Sequence, residues 1–301
     1  MDQAAQLRKT AGGVPRPRIP GKLRCIAIGS GKGGVGKTVL SIGLGSCLAA
    51  SGYRVLLLDS DLGLANVDLQ MGLEPTFTLQ DVVFGNCSLE DAVISGEGRP
   101  DVLAAASGAP ELVDMGGARR ELLVDELIRF AASYDFLVID VGAGIGSSST
   151  AFLAAAPEML VVVANEPTSV MDAYSLIKVV TREASKPLVM MAVNMVRSLD
   201  EGAMLAERLN RITRRFLRLE LPVAGIVTYD AVVGDAIRAR RPLMEYAGGS
   251  GPARCIADMA RAVVAGRRCA AAGSELSRGF FGKLADIGVD AKAQTDAGAG
   301  R

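Results

Sequence analysis

The sequence predicts an α/β fold: a mostly parallel, doubly wound sheet with helices on both faces. Three observations carry that expectation. A glycine-rich loop stands between a short apolar run and a small-residue helical stretch near the start of the chain. Further short apolar runs then alternate with helical stretches, which argues parallel strands covered on both sides. Two of those runs end in aspartate and one in asparagine. In an open parallel sheet, ligands lie beyond the carboxyl ends of the strands.

The strands are expected at about 23–29, 54–59, 101–105, 136–140, 159–164, 188–193 and 223–228. The stretch Val39–Ala50 reads as the helix after the loop. Leu79–Val83 and Leu89–Ile94 read as short helices beside the site. The chain has 301 residues, half of them hydrophobic, so one large core is within reach, burying about 75% of the unfolded surface. No internal repeat is evident.

The loop itself is Gly31, Lys32, Gly33, Gly34, Val35, Gly36, Lys37 and Thr38. This is a full phosphate-binding pattern, two glycines separated by four residues and followed by lysine and a hydroxyl. Glycines let the backbone turn its amides toward phosphate oxygens. Lys37 supplies a point charge near the β- and γ-phosphates, and Thr38 can ligate Mg²⁺. The helix that starts near Gly36 adds its positive end. Asp59, Asp140 and Asn194 close their apolar runs, and Asp61 follows two residues after Asp59. One strand-end aspartate is often only a turn or cap; several beside a complete phosphate loop point to a nucleotide site.

These residues resemble the MinD/ParA branch of P-loop ATPases, whose deviant loop carries an extra lysine, here Lys32. Within it they are most similar to the FlhG (FleN) group of flagellar-number regulators. The supporting segments are Asp59–Asp68, Ile139–Ile145, Glu166–Tyr174, Val193–Val196 and Tyr229–Asp230, and the similarity spans roughly residues 23–270. Asn165 stands where a proline is expected, and Val141 varies the segment after Asp140; neither removes a phosphate or metal group. The resemblance implies ATP and Mg²⁺ as cofactors. Asp59 and Asp140 would hold metal-bound water, Asp61 would position the attacking water, and Asn194 would join the nucleotide site. Lys32 would reach across a homodimer to the partner's phosphates, so that ATP favours pairing and hydrolysis releases it.

The first residues extend the resemblance. Asp2, Gln3, Ala4, Leu7 and Arg8 match the element with which FlhG proteins stimulate the GTPase FlhF. Gln3 and Leu7 are four apart, so a helix would set both on one face; without the resemblance, the stretch reads as an ordinary frayed terminus. The division expected is a partner-activating element at 1–8, a flexible linker at 9–22 rich in glycine, proline and basic residues, and an ATPase domain at 23–270. A flagellar transcription activator or basal-body protein is a further implied partner.

At 271–288 the pattern changes. Leu276, Phe280, Leu284 and Ile287 fall in one narrow arc of a helix, with Phe281 beside it and Arg278 and Lys283 available to headgroups. Two readings stand: a helix packed on the domain, or an amphipathic segment that contacts a membrane reversibly. Residues 289–301 have the composition of a disordered tail.

Composition bounds the rest. There are 33 basic and 33 acidic residues, and zero net charge argues against constitutive nucleic-acid binding. The basic clusters at Arg208–Arg218 and Arg238–Arg241 read as solvated helix faces. The five cysteines form no C-x-x-C pair, so reduced structural thiols are expected. The absence of histidine excludes His-based catalysis and His metal sites. Without a membrane-length apolar run or a signal sequence, the expected location is cytoplasmic, with peripheral contact at the inner face of the membrane. Three other readings compete. A division or chromosome-positioning ATPase would lack the Asp2–Arg8 element. An iron–sulfur reductase or cluster carrier needs a cysteine pair near the switch segments, which Asp140–Gly146 does not contain. A module that holds ATP without turnover would not need Asp61.

Overall fold

The computed structural model describes residues 23–61, 66–96, 98–104, 126–127, 129–166, 168–182 and 187–266. The element at Asp2–Arg8, the linker at 9–22 and the terminal segment with Leu276, Phe280, Phe281, Leu284 and Ile287 lie outside the described residues.

Strand β1 (Arg24–Gly29) leads through the phosphate loop into α1 (Lys37–Ala50) and then β2 (Val55–Asp59). Three short helices follow: α2 (Val67–Met71), α3 (Leu79–Phe84) and α4 (Leu89–Ala92). Next come β3 (Val93–Ile94), β4 (Asp101–Leu103), β5 (Phe136–Asp140) and α5 (Ser147–Ala155). The second half is β6 (Glu158–Ala164), α6 (Ser169–Val180), β7 (Leu188–Val196), α7 (Leu199–Leu217) and β8 (Val223–Thr228), closed by α8 (Ala231–Arg238), α9 (Leu243–Tyr246) and α10 (Gly251–Ala265).

The eight strands form one sheet in the order β3-β4-β2-β5-β1-β6-β7-β8. All neighbours are parallel except β3 and β4. The central strands are buried on both faces, which is why they read as unbroken apolar runs. Alternate residues feed two cores. Cys25, Ala27, Leu137 and Ile139 point to the side covered by α5, α6 and α7. Ile26, Ile28, Phe136 and Val138 point to the side covered by α1 and α10. This is the doubly wound arrangement, and the direction of winding reverses at β1. The crevice beyond its carboxyl end is where such sheets place ligands.

Two expectations need correcting. Leu89–Ile94 is not one helix: Ser88 caps a single turn that ends at Ala92, and Val93–Ile94 become an antiparallel edge strand on β4. A turn this short has no propagated hydrogen bonding to hold it against sheet pairing. β7 also runs three residues past its expected end, to Val196, so Asn194 lies inside the strand.

Beneath the sheet's amino-terminal end sits a buried ion pair. Arg24 Nε and Nη2 donate to Glu158 Oε1 and Oε2 at 2.9 and 2.5 Å, and Nη1 donates to the Val263 carbonyl at 2.7 Å. The two side chains are 5% and 3% exposed. The guanidinium lies 5.5 Å from the Phe136 ring centroid. One residue thereby ties β1, β6 and the end of α10 together.

Candidate functional site

The phosphate loop follows β1 and ends on the first residue of α1. Gly36 caps that helix at φ 86°, in the left-handed region, and the Leu40 amide bonds back to its carbonyl at 3.1 Å. A Cβ there would stand 2.4 Å from the Asn194 amide nitrogen, so glycine is required both for the turn and for the approach of β7. Asn194 uses that proximity: its Nδ2 donates to the Val35 carbonyl at 2.8 Å. Met195, the next residue, has φ 58°, and the pairing of β7 with β8 shifts register there. A bulge of this kind re-aims a side chain; here Asn194 is turned onto the loop.

The two lysines of the loop face different surroundings. Lys37 is buried at 9% exposure, at the head of α1. Lys32 lies on the rim, its side chain 41% exposed, and pairs with Glu166 on the loop that leads into α6. Gly31 brings these elements together, since a Cβ on it would stand 2.2 Å from the Asp172 backbone in α6. Around Lys32 the rim is apolar: Ile145 and Met171 are 56% and 53% exposed. The Gly144 amide donates to the Ser30 carbonyl at 2.9 Å, which sets the Ile145 loop beside it.

Asp59 and Asp140 are paired in register across β2 and β5. Both are buried, at 1% and 2% exposure. Asp59 Oδ1 accepts the Asp61 amide at 2.9 Å, and Oδ2 accepts the amides of Asn66 and Val67 at 2.9 and 3.1 Å. It thus anchors the start of α2. Burial raises its carboxyl above the usual range, and these amides partly offset the shift. Thr38 Oγ1 donates to Asp140 Oδ2 at 2.7 Å, and Ser41 Oγ lies 2.8 Å from Oδ1. Burial pushes the Asp140 carboxyl up to about 6; the Thr38 hydroxyl opposes the shift and the neighbouring Asp59 adds to it. Asp61 reaches the same place from β2: a Cβ on Gly142 would stand 3.4 Å from its Oδ1.

A hydroxyl beside two buried, adjacent carboxylates is a hard-oxygen donor set, and a nearby divalent cation would relieve their mutual repulsion. These residues therefore fit Mg²⁺. Next to them opens a cavity of about 570 Å³, lined by Gly36, Thr38, Asn194, Tyr229, Asp230 and Arg238 among others. Its volume and mixed lining suit a nucleotide-sized ligand. The fold thus gathers Gly31–Thr38, Asp59, Asp61, Asp140 and Asn194 around one crevice. Ser41 belongs to it too, although as a small residue inside a helix it gives no sign of this in the sequence. Glu166 does as well, through its tertiary pairing with Lys32.

Known proteins are similar to this chain in sequence and fold. A family model described as an AAA domain matches residues 23–216. The antiactivator FleN of Pseudomonas aeruginosa is 42% identical over 223 residues, covering 74% of this chain and 80% of FleN. The chain belongs to the MinD/ParA family of P-loop ATPases. Another relative is the flagellum site-determining protein YlxH of Helicobacter pylori, 32% identical, with 75% of this chain and 77% of YlxH covered. Among solved MinD structures, the septum site-determining protein MinD of Pyrococcus horikoshii, complexed with Mg-ADP, superposes with a TM-score of 0.66. It is 25% identical and covers 81% of this chain and 98% of that one. Among the described residues, no helix is long and apolar enough to cross a membrane, and no cluster of three or more His, Cys, Asp or Glu stands ready to hold a metal.

Proposed function

We propose that this protein is an ATP-driven dimerising switch that hydrolyses ATP and regulates flagellar number or placement. The observation that carries the reading is the division of labour between two lysines in one loop. Lys37 is buried at the head of α1, while Lys32 stands on an exposed apolar rim. A charge so placed serves a neighbouring molecule better than its own pocket.

On this reading Lys37 and the loop amides hold the phosphates, and Asn194 braces the loop through the Val35 carbonyl. Thr38, with Asp59 and Asp140 through water, would hold Mg²⁺, which neutralises charge on the phosphoryl oxygens. Ser41 and Thr38 keep the Asp140 carboxylate oriented. Asp61 positions the attacking water. Lys32 leaves Glu166 and reaches the phosphates of a second copy, acting like an arginine finger supplied in trans. The affinity gained by that contact is what couples ATP to pairing. A second copy would also cover Ile145 and Met171.

Asp61 separates pairing from turnover. Asp61→Ala is expected to form an ATP-dependent dimer in light scattering yet to lose hydrolysis by about 10²-fold or more. Single-turnover hydrolysis at the normal rate would remove Asp61 from this role.

The flagellar assignment rests on the likeness to FleN and YlxH and on Asp2, Gln3, Ala4, Leu7 and Arg8. With it goes the division into an activating element at 1–8, a tether at 9–22, an ATPase domain at 23–270 and a reversible membrane contact at 271–288. The test is GTP hydrolysis by the FlhF-type GTPase of the same cell, with a peptide of residues 1–20. Stimulation by the peptide, lost on Gln3→Ala, is the expected result. No stimulation would turn the reading toward a division or partition ATPase with the same nucleotide chemistry.

A further inference from the structure

Gly142 follows two residues after Asp140, and two side-chain oxygens converge on it. A Cβ built there would lie 3.3 Å from the Ser149 hydroxyl and 3.4 Å from Asp61 Oδ1. The two oxygens are therefore no farther apart than those distances together, a gap that one bridging water or one rotamer step closes. Ser149 stands in the first turn of α5 and is half-buried.

Packing fixes where that hydroxyl stands. Leu153, one turn further along the same face, is fully buried. A Cβ on Gly29, the last residue of β1, would stand only 2.7 Å from its methyl groups. α5 thus meets glycine at both contacts, and approaches more closely than larger residues would allow. The hydroxyl is also uncommitted. Serine and threonine hydroxyls in helices commonly turn back on the carbonyl four residues earlier. Thr150, Ser175 and Thr181 do so at 2.9, 2.8 and 2.7 Å. The Ser149 hydroxyl makes no such bond among the described residues. Asp61 lines the cavity that also holds Thr38. Its carboxylate reaches from there toward the first turn of α5, the end of a helix that favours an anion.

We propose that Ser149 is a positioning residue for Asp61, a role that rests on the water-positioning proposed above for that carboxylate. The Ser149 hydroxyl donates to Asp61, directly or through one water, and holds the carboxylate aimed into the cavity. A group that places an attacking water must point in a fixed direction, since a misplacement of about 1 Å costs on the order of 10²-fold. The bond from the Asp61 amide to Asp59 Oδ1 fixes where Asp61 stands. A charge-assisted hydrogen bond to one carboxylate oxygen sets where it points, and leaves the other oxygen for water. The hydroxyls nearest the phosphate loop do not supply that donor, because Thr38 and Ser41 both engage Asp140.

The test compares the full chain with Ser149→Ala, Ser149→Thr, Asp61→Ala and Ser149→Ala/Asp61→Ala in steady-state and single-turnover ATP hydrolysis. Ser149→Ala is expected to lower kcat by about 10–100-fold. KM should stay within about twofold, and ATP-dependent pairing in light scattering should be intact. Ser149→Thr keeps the hydroxyl and is expected to hold turnover within about threefold of normal. On the Asp61→Ala background, Ser149→Ala is expected to change the residual rate by less than about twofold, since a residue that acts through Asp61 then has nothing to hold. A normal kcat in Ser149→Ala, Ser149→Thr as slow as Ser149→Ala, or an equal fall on both backgrounds would overturn the proposal and leave Asp61 in its role. Turnover at the normal rate in Asp61→Ala, or none in the unaltered chain, would overturn both.

Discussion

Replacing Lys32 with alanine is expected to leave ATP binding within a few-fold of normal and to slow hydrolysis by about 10³-fold or more. The reasoning is spatial. Lys37, not Lys32, occupies the buried position at the head of α1, so the pocket keeps its own cation. Lys32 is half-exposed beside Glu166, and on the proposed mechanism its loss removes a charge that acts only when a second subunit arrives. A charge of that kind adds nothing to the affinity of a single subunit for ATP; it acts only within the pair, on pairing and on the barrier. The same substitution should abolish ATP-dependent pairing, since the contact that favours the dimer is gone. An intact ATP-dependent dimer of the variant in light scattering would sink this account of Lys32.

The second large effect is on stability. Glu158→Ala is expected to destabilise the domain by about 3–5 kcal/mol, because it leaves the Arg24 guanidinium buried without its counter-charge. For a chain of this size that corresponds to a fall of about 6–20 °C in the apparent Tm. The effect should be far smaller in the double variant Arg24→Met/Glu158→Met, which removes both charges and fills the space; such replacements are often neutral or stabilising. Differential scanning of the two variants separates a pair that stabilises by its charges from one that must merely not be broken. A Tm change below about 2 °C for Glu158→Ala would show that water reaches Arg24 and that the end of α10 is not pinned by it.

The parts of the molecule legible in the sequence share a physical cause. β1, β2 and β5 are buried on both faces, so Arg24–Gly29, Val55–Asp59 and Phe136–Asp140 appear as compact apolar runs. The phosphate loop is legible because its geometry needs glycines at fixed offsets. What the sequence hides is set by distant partners. Val93–Ile94 continue the apolar pattern of α4, and only β4 pulls them into the sheet. Glu158 reads as a polar residue just before a strand, since its counter-charge lies 134 residues away. Ser41 looks like a small helical residue until Asp140 is placed beside it. Asn194 appears as a strand-end amide, yet the bulge at Met195 within a longer β7 is what turns it onto the loop.

The most direct test of the switch is a mixing experiment. Lys32→Ala keeps a complete pocket but has no lysine to offer. Asp61→Ala offers its lysine but cannot position water. Each alone should be nearly inactive. With Asp61→Ala in excess, hydrolysis should reappear, because the Lys32→Ala pocket is completed by the lysine of its partner. A mixture no more active than its separate components, with mixed pairs present by native mass measurement, would contradict a lysine acting in trans.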